Sequence, residues 1–201
     1  MAPSKVYWVP GYEQPFRSPL FQDRYPRPIT PEVLRGKKYF IIGLTNLIFP
    51  EGREIKDRWN EAYLPFRDLP LRQGVEDFLR YWRKSNNARF AFFSGEYETK
   101  GIENLSKLWQ LAEYVDGWAL NSGGGLQPLF PNLRQFAAGR RASPEEVLVL
   151  LNSNYSFGET LTDSLDILLI PPWAKPFDFR ALVPQEATVP TSSSFYAMSH
   201  T

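Results

Sequence analysis

Between Phe40 and Phe49 the chain runs from a strand of buried type into a tight loop, the kind of place from which enzymes present reactive side chains. The residues there are ill suited to it. Gly43 has no side chain, and Thr45 offers a neutral hydroxyl with no base beside it to activate it. Mg²⁺ prefers charged oxygen ligands, and this loop holds no carboxylate. Other candidates are scattered. Ser94 closes a second apolar run and reads as the polar end of a buried strand, with phosphate binding as the sharper alternative. Arg140 and Arg141 read as a solvated basic turn more readily than an anion site. Asp163 suits a loop or cap, and Asp166 the start of a strand, better than a pair of metal ligands. Gly123-Gly124-Gly125 lacks the Lys-Ser/Thr of a phosphate-binding loop and reads as a turn. The single histidine, His200, is next to last, so no internal histidine base exists. With no cysteine, thiol nucleophiles, thiolate metal sites and disulfides are all excluded.

The elements that would position these residues follow from periodicity. Tyr39–Ile42, Arg89–Phe93, Val147–Leu151 and Asp166–Ile170 are short apolar runs that read as strands buried on both faces, as in a parallel sheet. Trp118–Leu120 reads as a shorter one. Val75, Phe78, Leu79 and Trp82 fall at helical spacing and predict an amphipathic helix opened near Gln73-Gly74. Ile102, Leu105, Leu108 and Ala112 repeat the spacing, and Leu133 to Ala138 suits a short helix. Alternation of this kind predicts an α/β domain, a three-layer sandwich around a mostly parallel sheet.

Residues 1–36 differ in character. They hold seven of the 18 prolines among aromatic and arginine side chains. Such spacing argues against helix or central strand and for an extended path. Tyr7, Trp8, Tyr12, Phe16, Phe21 and Tyr25 make this arm too aromatic for a floppy linker. They are its candidate anchors, on its own domain or on a partner. The expected organisation is an arm over 1–36, a domain over 37–184, and a Ser/Thr-rich tail over 185–201. The chain's 43% hydrophobic and 15% aromatic content supports a real core, and six tryptophans suggest an interface. A net charge of +1 gives no field that would favour nucleic acid. No apolar run reaches the ~20 residues of a membrane span.

Four stations between 37 and 184 are similar, in order and spacing, to the haloacid dehalogenase superfamily. The first is the Gly43 loop, the second Phe92-Phe93-Ser94-Gly95, the third Gly139-Arg140-Arg141-Ala142-Ser143-Pro144-Glu145, and the fourth Val147 through Asn152-Ser153. The resemblance implies that Gly43 stands at the place of a nucleophilic Asp and Thr45 at that of the acid/base Asp. Ser94 would stand at the phosphoryl-binding hydroxyl, Arg141 at the charge-balancing cation, and Asn152 at a metal-holding Asp. Leu71-Arg72-Gln73-Gly74-Val75-Glu76-Asp77-Phe78-Leu79 resembles a helix start in the branch of C-terminal-domain phosphatases. The proline-rich lead, the degenerate loop and Ile170-Pro171-Pro172-Trp173 resemble the phosphatase-like receptors of the mitochondrial presequence translocase.

From that resemblance the chain is expected to be a non-catalytic accessory subunit of a larger complex, bound to other protein subunits, with no cofactor and no metal. The implied location is the mitochondrial inner membrane, in a respiratory or ATP synthase assembly, without a membrane segment of its own. Two alternatives are a receptor for presequence peptides and a Mg²⁺ phosphatase with unconventional acids.

Overall fold

Four of the apolar runs become neighbours in one sheet. The computed structural model describes residues 5–12, 27–44, 47–48, 71–94, 113–120, 139, 141–153 and 165–185. Its strands are β1 (Val6–Trp8), β2 (Arg27–Pro28), β3 (Tyr39–Gly43), β4 (Arg89–Ser94), β5 (Val115–Leu120), β6 (Val147–Asn152) and β7 (Asp166–Ile170). They form a seven-stranded sheet in the order β2-β1-β7-β6-β3-β4-β5, and every pairing is parallel. The α/β architecture expected from the alternation is therefore present.

The strands alternate side chains between two apolar clusters. Phe40, Ile42, Phe90, Phe92, Leu148, Leu150 and Leu168 face the first, and Ile41, Ala91, Phe93, Val147, Val149, Ile167 and Leu169 the second. Burial on both faces explains why these runs are continuous rather than alternating. The first face is covered by helix α2 (Val75–Asn86), which contributes Val75, Phe78, Leu79 and Trp82. Aromatic rings hold it there. Phe78 meets Phe40 edge-on with centroids 5.5 Å apart and Phe179 at 5.7 Å. The indole N–H of Trp82 donates to the Leu182 carbonyl at 3.2 Å, so its one polar atom is satisfied inside the core. Acidic Glu76 and Asp77 open the helix and basic Arg83 and Lys84 close it, matching its dipole.

The helix begins where only glycine fits. Gly74 has φ +76°, and a Cβ there would lie 2.2 Å from Asp178 Oδ1 and 2.7 Å from the Arg180 nitrogen. The segment 178–180 is bound to this turn, with the Phe179 amide donating to the Gln73 carbonyl at 2.9 Å.

The leader departs from its expected course. Val6-Tyr7-Trp8 is an interior strand, paired with β7 on one side and β2 on the other. Pro31 starts a short helix, α1 (Pro31–Arg35), with Thr30 at its N-cap. The prolines punctuate this region instead of forbidding structure. Val6 to Trp8 lies between Pro3 and Pro10, and Pro at the first helical position costs no hydrogen bond. Tyr7 is only 5% exposed and belongs to the core, Tyr12 packs edge-on against Phe177 at 4.9 Å, and Trp8 is half-buried. So the described part of the leader lies on its own domain, and Tyr7 presents no surface to a partner. Phe16, Phe21 and Tyr25 lie outside the described residues, as do the expected helices around Ile102–Ala112 and Leu133–Ala138, the Gly123–Gly125 turn, Asp163 and His200.

Candidate functional site

In an open parallel sheet, ligands bind beyond the carboxyl ends of the strands, where the strand order reverses. Here the chain steps from β3 to β4 and β5 on one side, then returns to β6 on the other side of β3. The reversal falls at β3 and β6. Gly43 ends β3, Ser94 ends β4 and Asn152 ends β6, so the topology brings three of the five sequence-derived positions to one edge. Thr45 lies outside the described residues. Arg141 is elsewhere. It precedes the turn that leads into the amino end of β6, so it sits at the opposite edge of the sheet, exposed, with φ +53°.

At Gly43 the backbone is held close. The Leu44 amide donates to the Phe93 carbonyl at 3.0 Å. A Cβ on Gly43 would come within 3.1 Å of Phe93 Cζ and 3.5 Å of the Leu150 carbonyl. The space a nucleophilic side chain would enter is thus bordered by the ring of Phe93. Asn152 is buried, at 5% exposure. It offers a neutral amide where a cation would want a carboxylate. Among the described residues no group of three His, Cys, Asp or Glu side chains is placed to hold a metal ion. Of the described residues that end these strands, Gly43 and Asn152 offer no charged oxygen of the kind Mg²⁺ takes.

The charged group that organises this edge is one the sequence reading treated only as part of a helix start. Arg72 is 5% exposed. Its Nη1 donates to the carbonyls of Leu47 (3.2 Å) and Pro171 (2.5 Å), and its Nη2 to those of Pro172 (3.1 Å) and Lys175 (2.8 Å). Phe177 lies under the guanidinium, 5.2 Å from its centre. Burial pushes the Arg72 pKa down to about 10, because four neutral carbonyls do not offset desolvation as a carboxylate would. The fork geometry suits this role: one rigid cation joins the loop after β3 to the segment after β7. Nothing in the composition distinguishes such an arginine from a surface one.

The opposite edge holds a second buried cation. Lys37 Nζ is 2.6 Å from Asp166 Oδ2 and also donates to the carbonyls of Glu145 (2.7 Å) and Val147 (3.3 Å). The other oxygen of Asp166 accepts from the Lys5 amide at 2.9 Å. Asp166 therefore starts β7, as read from the sequence, and in addition ties β1 and β3 to it. On the far flank, Asp116 accepts from Arg83 at 2.7 Å, Arg89 at 2.9 Å and the Phe90 amide at 2.9 Å, at a register shift between β4 and β5. Burial raises its pKa, but the hydrogen bonds from Arg83, Phe90 and Arg89 outweigh that and hold it below the usual value.

No protein family profile and no curated protein matches this sequence. Solved structures do share features of its fold. An uncharacterized protein from Listeria monocytogenes serotype 4b is 12% identical, with a TM-score of 0.49 over 68% of this chain and 93% of that one. A haloacid dehalogenase-like hydrolase from Streptococcus pneumoniae is 10% identical, with a TM-score of 0.49 over 73% and 90%. The deoxy-D-mannose-octulosonate 8-phosphate phosphatase of Haemophilus influenzae, in a cobalt-bound form, is 11% identical, with a TM-score of 0.42 over 75% and 86%. At identities of 10–12% the likeness concerns fold alone. It also corrects one expectation. Both neighbours described by an activity are a hydrolase or a phosphatase, so the reading of this chain as no enzyme is withdrawn.

Proposed function

We propose that this chain is a phosphatase-like α/β domain whose role is exercised as an accessory subunit of a larger protein assembly. From the sequence resemblance, that assembly belongs to the mitochondrial inner membrane. The observation that carries the reading is the carboxyl edge of the sheet. There the Phe93 ring borders Gly43, and Arg72 spends its donors on the protein's own carbonyls. An edge so occupied by its own residues favours contact through outer surfaces. Hydrolysis by the same scaffold is compatible with this role, and it would need a nucleophile other than position 43.

The test is an affinity purification from native mitochondrial membranes with partners identified by mass spectrometry. Recovery in a complex at fixed stoichiometry supports the reading, and a free monomer in every fraction overturns it. Assaying the same preparation on a phosphomonoester, with and without Mg²⁺, measures any hydrolysis independently. Titration with a basic amphipathic peptide separates an accessory subunit, which gives no change in tryptophan fluorescence, from a presequence receptor.

A further inference from the structure

Two exposed serines in the described residues follow a pair of basic residues. Ser85 follows Arg83-Lys84, and Ser143 lies two residues after Arg140-Arg141. Sequence alone does not choose between them as targets of a kinase that reads basic side chains ahead of its serine. The backbone does. Ser85 lies in the last turn of α2, with its backbone held in helical geometry. A kinase cleft needs the target segment extended so that the hydroxyl can reach the γ-phosphate, and opening a helix to supply that shape costs packing of Trp82 and Phe78. Ser143 itself is extended, with φ −72° and ψ 146°, and the short 3₁₀ turn it caps, Pro144–Glu146, buries no side chain, so opening that turn costs no core packing. Pro144 holds it there, because a residue before proline is disfavoured in the helical region. Arg141 beside it is exposed, with φ +53°, and no described carboxylate is paired with it within ion-pair distance.

We infer that Ser143 is a phosphorylation site for an ATP-dependent serine kinase that recognises basic side chains preceding its target. The Ser143 Oγ would attack the γ-phosphorus of ATP, the bond to the bridging oxygen of ADP would break, and the hydroxyl proton would pass to the kinase. The modification has a defined local consequence. The Ser143 amide donates to Glu146 Oε2 at 3.4 Å, and Lys38 Nζ pairs with Glu146 Oε1. A phosphate dianion on Ser143 repels the Glu146 carboxylate and competes for Lys38, whose side chain is 61% exposed and able to swing. The backbone bond from the Lys38 amide to the Glu146 carbonyl, at 2.9 Å, leaves the sheet itself in register.

The experiment treats the full folded chain with ATP and the catalytic subunit of a kinase that reads upstream arginines, and maps phosphate by tandem mass spectrometry. Phosphate on Ser143 and none on Ser85 is expected, with Ser143→Ala abolishing it and Arg141→Ala slowing it about tenfold, the loss expected for one charged contact of about 1.4 kcal/mol. The same reaction on the urea-unfolded chain, diluted into the assay, supplies the control: Ser85 should then be modified as well. Modification of Ser85 at an equal rate in the folded protein overturns the inference. So does modification of Ser143 only after unfolding, or only by a proline-directed kinase. Because the readout is the position of phosphate on a folded chain, it stands or falls separately from membership in a membrane assembly.

Discussion

Gly74 shows how one residue can be required twice over. Its positive φ is costly for an L-residue, and the space of a Cβ is filled by Asp178 and Arg180. Gly74→Ala is expected to destabilise the protein by about 2–4 kcal/mol, read from the urea midpoint. Gly43 is different. Its neighbour is the tip of a ring, so Gly43→Asp should cost about 1–3 kcal/mol through overpacking, and Phe93→Leu in the same chain should recover part of it. If the double variant is no more stable than Gly43→Asp alone, the ring is not what crowds that position. Arg72→Met removes the guanidinium from four carbonyls, of which Pro172 keeps the Lys175 amide as a donor, and a loss of about 3–5 kcal/mol is expected in denaturant titration, as for other broken buried-charge sites. Arg72→Lys should lose nearly as much, because one ammonium does not span four acceptors set by a planar fork. None of these roles was legible in the residue types. Arg72, Lys37 and Asp116 are charged side chains that a composition counts as surface, and only the fold shows which carbonyls and amides surround them.

At the level of elements, the strands were readable because burial on both faces leaves a simple mark, a short run of apolar residues with polar ends. Helix α2 was readable for the same reason, through four apolar positions on one face. The ends of β3, β4, β6 and β7 were legible to within a residue, whereas β1 and β2 were not read at all and β5 starts at Val115, ahead of the expected Trp118, because Asp116 takes part in a bulge whose carboxylate, not its backbone alone, binds Phe90. That joint is testable by acid. The Asp116 pKa is lowered in the folded chain from an ordinary value near 3.8, so the unfolded chain takes up the proton first as pH falls. The stabilisation is whole above about pH 5 and is lost as pH drops through the folded value. In thermal melts between pH 6 and pH 2.5, Asp116→Asn should therefore be less stable at the upper end and show a shallower decline below pH 4.

For the whole molecule, the leader is where proline counting misled. Val6, Tyr7 and Val9 are buried in the two apolar clusters, and the Lys5 amide is bound to Asp166. Removing residues 1–12 should therefore lower stability by several kcal/mol, at roughly 1.5–3 kcal/mol for each large buried side chain. It should also expose the edge of β7 and promote self-association, visible in size-exclusion chromatography. A truncated chain with unchanged melting temperature and elution would show the leader to be an appendage. The pairing of β1 with β7 bears on how the chain comes into being. Val6 leaves the ribosome long before Ile170, so β1 must wait, solvent-facing and rich in aromatic neighbours, until the chain as far as β7 has been translated. Closure of the sheet on this side is then a late event in folding, and in the interval a chaperone has a short, sticky segment to hold.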